Sequence, residues 1–189
     1  MKLLHIDSSI TGEHSVSRTV SKAIVEALTA GDASVEVSTL DLAANPLPHL
    51  TLDVLGNPDG SDELNQFLAS DVIVIGAGLY NFTIPSQLKA WIDRILVAGK
   101  TFQYTAEGPV GLAGDKKVFV ALARGGFYGE GQPAAAFEHG ETYLRAALGF
   151  IGITNPTFVL AEGIAIDQAT REAAVAKALE EAKALTVAA

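Results

Sequence analysis

Short apolar runs separated by helical stretches constrain this chain more than any other feature. Leu3–Ile6, Val72–Ile75, Val118–Leu122 and Thr157–Leu160 are far too short to span a membrane and largely lack polar alternation. They predict strands of a parallel sheet covered by helices on both faces. A further run, Val35 to Leu40, alternates Val35, Val37 and Thr39 with Glu36 and Ser38, the pattern of an edge strand. A helix is expected from about Ser15, with Val20, Ala23, Ile24, Ala27 and Leu28 on one face and Gly31 closing it. Others are expected through Leu64, Phe67 and Leu68, from Pro85 with Leu88, Trp91, Ile92, Ile95 and Leu96 inward, from about Ala134 to Leu148, and from about Gln168 onward. Asp41 to Gly60, with Pro46, Pro48 and Pro58, reads as a loop with a short helical turn near Thr51 to Leu55. Thr101 to Thr105 reads as an extended hairpin arm.

No linker or composition shift divides the 189 residues, so one domain over 1–189 is expected. Five strands joined by right-handed helical crossovers fit the doubly wound, flavodoxin-like order 2-1-3-4-5, helices on both faces. A net charge of −9 argues against nucleic acid as a partner and gives no general attraction to anionic lipid. The absence of cysteine removes disulfides, thiolate metal sites and cysteine nucleophiles. His5, His14, His49 and His139 are isolated, without metal-ligand spacing, so no metal is expected. Met1 to Asp7 runs straight into a strand instead of a signal peptide, and a cytoplasmic location is expected.

In that fold, ligands bind beyond the carboxyl ends of strands one, three and four. The first of these loops, Asp7 to Arg18, carries Ser9, Ser15 and Ser17 at the start of a helix, where hydroxyls and free N–H groups attract a phosphate. Arg18 is nearby, although Ser15 is also an ordinary N-cap residue. The loop lacks G-x-G-x-x-G and Walker patterns, which favours a mononucleotide over a dinucleotide. The next loop exposes Tyr80 and Phe82, either as a wall for a flat aromatic ligand or as a lid over the sheet end. The last, Ala123 to Gly131, has four glycines, a fixed charge at Arg124 and the aromatics Phe127 and Tyr128; it is either a ligand wall or a flexible surface loop. Taken together the three loops have the shape of an FMN site.

At these residues the chain resembles the FMN-dependent NADH:quinone oxidoreductase and azoreductase family of bacteria over nearly its whole length. The resemblance is carried by Ser8-Ser9-Ile10 with Ser15-Val16-Ser17, by Tyr80-Asn81-Phe82-Thr83-Ile84-Pro85 with Leu88-Lys89, and by Arg124-Gly125-Gly126. Further matches are Asp41 to Pro46, Gly99 to Thr105 and Leu148 to Gly152. The resemblance implies that Ser9, Ser15, Val16 and Ser17 hold the FMN phosphate. It places Leu79, Tyr80, Asn81 and Phe82 along the isoalloxazine, with Ala123, Arg124, Gly125 and Gly126 at its far edge. It also implies a homodimer with Phe102 and Tyr104 near the flavin. Phe82, Phe102, Tyr104 and Phe127 are the candidate substrate wall. Gly78-Leu79 stands where the family often has Pro-Met, Ala123 where it often has Ser, and the loop after Pro48 is shorter than in longer members.

The expected activity is ping-pong electron transfer from NADH or NADPH, through FMN, to quinones and azo compounds. Backbone N–H groups and Arg124 are candidates to stabilise negative charge on reduced flavin. Two other readings are a non-enzymatic electron carrier of the same fold, and a hydrolase using Ser8, Ser9, His5, His14 and Asp7. The second lacks a G-x-S-x-G elbow.

Overall fold

The protein is described from a computed structural model covering residues 1–57 and 61–187. The strands are β1 (Lys2–Asp7), β2 (Glu36–Asp41), β3 (Val72–Gly78), β4 (Phe102–Thr105), β5 (Gly108–Gly111), β6 (Lys117–Ala123) and β7 (Thr157–Ala161). The helices are α1 (Val16–Thr29), α2 (Leu52–Gly56), α3 (Asp62–Ala69), α4 (Ser86–Ile95), α5 (Glu141–Phe150) and α6 (Gln168–Lys183). Five strands form a parallel sheet in the order β2-β1-β3-β6-β7, while β4 and β5 pair as a separate antiparallel hairpin.

The alternation of side chains along the strands builds two cores. Leu4, Ile6, Ile73, Ile75, Val120 and Leu122 face α4 and α5, with Trp91 fully buried and edge-on to Phe67 of α3 at 6.0 Å. Leu3, Val72, Val74, Phe119 and Val159 face the opposite way, against Val20 and Ile24 of α1 and Ala178 and Ala182 of α6. β3 is buried along its whole length, as its unbroken apolar run requires. β2 stands at the sheet edge with Glu36 to Thr39 exposed, the position its alternation predicts.

Local signals set most of the element ends. Ser15, Ser61, Thr51 and Asp167 each cap the helix that follows with a side-chain oxygen. Gly31, at φ 83°, takes the left-handed position just beyond α1. Pro85 is the residue before α4, its carbonyl accepting from the N–H of Lys89. The short turn expected near Thr51 is α2, whereas the loop predicted through Gly60 includes Pro58, Asp59 and Gly60, which lie outside the described residues.

One expected helix is different. The stretch predicted as helix from about Ala134 holds only a 3-10 turn at Ala135–Phe137, and α5 starts at Glu141. The break is held by the Glu138 carboxylate, which accepts from the N–H groups of Gly140, Glu141 and Thr142. Gly140 also lies so close beneath Leu79 that a Cβ there would come within 2.7 Å of the Leu79 side chain. Among the described residues, no helix is long and apolar enough to cross a membrane.

The topology delivers β1, β3, β6 and β7 to one edge of the sheet, all ending together. The backbone locks them there: Ser8 N–H donates to Gly76, Leu79 N–H to Ala123 and Arg124 N–H to Ala161, at 2.8–3.1 Å.

Candidate active site

Beyond β1, loop one is fastened before it reaches α1. Ser8 is fully buried and donates its hydroxyl to the Gly76 carbonyl at 2.7 Å. Ser9 Oγ lies 2.8 Å from Tyr80 Oη and 3.0 Å from Thr11 Oγ1. Ser15 Oγ accepts from Arg18 N–H and lies 3.1 Å from Ser17 Oγ. The N–H groups of Val16 and Ser17 have no acceptor among the described residues. Three hydroxyls and two free amides at a helix start form a seat for an anion.

Arg18 is turned away from that seat. Its guanidinium grips both oxygens of Asp41 at 2.7 Å and donates to the Ser9 carbonyl from Nε and Nη2. The Arg18 hydrogen bond holds the Asp41 carboxyl down at about 2 and raises the Arg18 pKa in return. Arg18 therefore sets the path of the Ser9 backbone. Behind it, Ser21 Oγ donates to Asp7 Oδ1 at 2.9 Å and lies 3.0 Å from His5 Nε2. This serine is fully buried, with its one hydroxyl shared between both partners, so it has no access to a substrate.

Loop three is a tight reversal. Tyr80 and Thr83 exchange both backbone hydrogen bonds, and the two residues between them, Asn81 and Phe82, have φ of 47° and 75°. Positive φ at both central positions is the requirement of a type I′ turn, which Asn meets easily and Phe does not. The strain is held by His139, whose N–H donates to Phe82 and whose carbonyl accepts from Thr83 Oγ1. The Phe82 ring is 47% exposed and lies 5.2 Å from the Phe137 ring. Gly78 makes room for the Tyr80 ring, which a Cβ at that position would approach to 3.0 Å.

Loop four is stapled by its backbone to the segment after β7. Ile164, Ala165 and Gly163 donate to the carbonyls of Arg124, Gly125 and Gly126. The Arg124 side chain, expected at the far edge of the flavin, points into the protein instead of into the cavity. It is 2% exposed and pairs with Glu141 at 2.7 Å, Glu162 at 3.1 Å and Glu138 at 3.3 Å. Burial alone would raise the Glu138 carboxyl, but three backbone N–H groups and Arg124 outweigh it and leave it below its usual value. The charge of Arg124 is thus taken up inside the protein, where it ties loop four to α5 and to the end of β7.

These loops enclose a cavity of about 360 Å³ lined by Ser9, Ser15, Val16, Ser17, Leu79, Tyr80, Ala123 and Gly125. Thr11, His14, Gly78, Ile164, Ala165 and Arg171 complete it, and none of these was expected from sequence to touch the cofactor. A second cleft of about 930 Å³ shares Leu79 and Tyr80 as a wall and extends past Asn81 toward α4 and Tyr143. Burial, with Asp93 adding to it, pushes the Tyr143 hydroxyl up to about 12. Phe82, Arg124 and Gly126 do not line either space. Phe102 is buried against Phe150 on the hairpin, Tyr104 is 74% exposed beside it, and Phe127 packs over Gly163. Within one chain those three aromatics form no common wall.

The partners of Arg124 had one sequence signal available. An arginine ending a buried strand demands a counter-charge, and the Ala123↔Ala161 register puts Glu162 at the neighbouring strand end. Arg171 had none, since 157 positions separate it from His14, whose carbonyl it meets.

Fold and site together define a doubly wound α/β protein with an anion seat and a small apolar cavity at its switch point. The chain belongs to the flavodoxin-like fold family, whose model matches residues 1–185. It is 56% identical to FMN-dependent NADH:quinone oxidoreductase 2 of Bradyrhizobium diazoefficiens, and 56% identical to the FMN-dependent NADH:quinone oxidoreductase of Methylorubrum populi. Each alignment covers 100% of both chains. Among solved structures it is similar to an azoreductase from Bacillus anthracis, with a TM-score of 0.87, 36% identity and 97% of each chain covered. An FMN-dependent NADH-azoreductase of the same species, solved in complex with FMN, gives a TM-score of 0.83 at 28% identity, covering 96% of this chain and 95% of that one.

Proposed function

We propose that the protein is an FMN-dependent oxidoreductase that takes electrons from NADH and delivers them to quinones and azo compounds. One observation carries the reading: the serine seat, Tyr80 beside its strained turn and the small residues Ala123 and Gly125 line a single cavity. The chemistry of that lining suits FMN. Hydroxyls and free amides fit a phosphate monoester, and Leu79, Ala123 and Ala165 give the apolar wall a planar ring needs. The similarity to an FMN-bound azoreductase supports the same reading.

Ser9, Ser15 and Ser17, with the N–H groups of Val16 and Ser17, would hold the phosphate. Leu79 to Phe82, Ala123, Gly125 and Gly126 would border the ring, Gly126 through its backbone and Phe82 from the rim. Bound FMN supplies hydride chemistry, accepting from a nicotinamide and giving to the acceptor. The chain binds and orients. Tyr80, fixed by Ser9, keeps the wall in place, and the rigid loop four needs no reorganisation as charge develops. The titratable side chains on the cavity are His14, Tyr80 and Arg171; no carboxylic acid lines it, and water can protonate the products.

We propose that the whole chain acts as one domain in the cytoplasm and as a homodimer. Tyr104, Val110, Leu112 and Phe150 leave an exposed apolar patch around the hairpin, which supports a second copy packing there. Steady-state assay of the FMN-loaded protein tests the function. NADH-dependent quinone reduction with parallel double-reciprocal lines is expected, and FMN-loaded protein without NADH oxidation in the presence of quinone overturns the reading. NADPH assayed beside NADH fixes the donor.

A further inference from the structure

Arg171 stands in an unfavourable place for a helix and a favourable one for an anion. It lies in the first turn of α6, where the helix dipole disfavours a cation. Its guanidinium nevertheless crosses to the cavity, donating to the His14 carbonyl from Nη2 at 3.0 Å and to the Ile164 carbonyl from Nη1 at 3.5 Å. There it lines the same space as Ser9, Ser15 and Ser17.

The other arginines are neutralised by carboxylates. Arg18 pairs with Asp41 at 2.7 Å, Arg94 with Glu63 at 3.8 Å, and Arg124 and Arg145 with Glu141 at 2.7 Å. Arg171 has no carboxylate within 4.0 Å among the described residues, only carbonyl oxygens. In a chain of net charge −9, this is an uncompensated cation at the mouth of an otherwise neutral serine seat. A phosphate monoester carries nearly two negative charges, and hydroxyls and amides bring dipoles but no full charge to it.

We propose that Arg171 is the phosphate-recognition cation of this site, the residue by which the protein prefers FMN to riboflavin. The inference rests on the FMN reading above. Its bonds to the two carbonyls fix the guanidinium between loop one and the segment after β7, so the charge is in position before the ligand arrives. A pure tether between those segments would serve any flavin equally. A charge serves only the phosphorylated one.

Titration of flavin-free protein with FMN and with riboflavin, followed by flavin fluorescence, separates these roles. Arg171→Met is expected to weaken FMN binding by about tenfold to a hundredfold while changing riboflavin binding by less than about twofold. Arg171→Lys keeps a charge but not the paired carbonyl bonds, and is expected to retain most of the preference for FMN. Added salt should weaken FMN binding more in the wild type than in Arg171→Met. Equal weakening of both flavins in Arg171→Met, or an unchanged FMN affinity, overturns the proposal. If Arg171→Met fails to fold, loss of the FMN preference in folded Arg171→Lys overturns it instead. Wild-type protein that binds neither flavin overturns the FMN reading itself, and this inference with it.

Discussion

Asn81 and Phe82 are the non-glycine residues with positive φ among those described, and both follow directly on Tyr80, which lines the cavity. Asparagine tolerates the left-handed region and alanine does not. Asn81→Ala is therefore expected to lower stability by about 1–2 kcal/mol, while Asn81→Gly stays near the wild type in urea unfolding. Asp41 gives the pH dependence. Its carboxyl titrates at about 2 in the folded chain against a usual 3.8, so its contribution is complete above about pH 4 and is lost as pH falls through 2. Asp41→Asn should flatten that part of the acid unfolding curve; the same slope in both proteins would remove the Arg18 clamp from the account. The hydroxyl pattern of Ser9, Ser15 and Ser17 was legible in the sequence because it is local. The destination of Arg18 was not, because Asp41 is 23 positions away and a sequence does not show which acid an arginine meets.

At the scale of elements, the buried strands and capped helices follow from short-range chemistry, which is why β3, α1 and α6 fall where their apolar runs and N-caps put them. The helix predicted from Ala134 failed because amphipathic spacing runs on through His139 and Gly140, while the break is imposed from outside by Glu138 capping and by Leu79 above Gly140. The same segment joins Arg124 to the strained turn: Glu138 binds Arg124, and His139 next to it binds Phe82 and Thr83. Removing the cation leaves three acids facing one another. Arg124→Met should destabilise the fold by about 3–5 kcal/mol in chemical denaturation. A loss below about 1 kcal/mol would mean the cluster is not the tie between loop four and α5. Trp91→Ala, by contrast, acts through the core alone, and about 3–5 kcal/mol is expected from its lost burial.

The molecule as a whole places an anion seat, an aromatic turn and a rigid small-residue loop at one sheet edge, because parallel strands with helical crossovers must all end on the same side. That placement was legible from the order of runs and loops. Which aromatics would share the pocket was not: Phe102 and Tyr104 sit on a hairpin outside the sheet, and only packing decides where such an arm lies. In the proposed function, electrons enter from NADH and leave to a quinone through one bound flavin. Its most direct test is the absorption spectrum of FMN-loaded, desalted protein under anaerobic conditions, recorded after NADH and again after a quinone. Flavin bands are expected to bleach with NADH and return with quinone once the nicotinamide is removed. Flavin that stays oxidised under both NADH and NADPH, or that bleaches but never returns with quinone, would contradict that function.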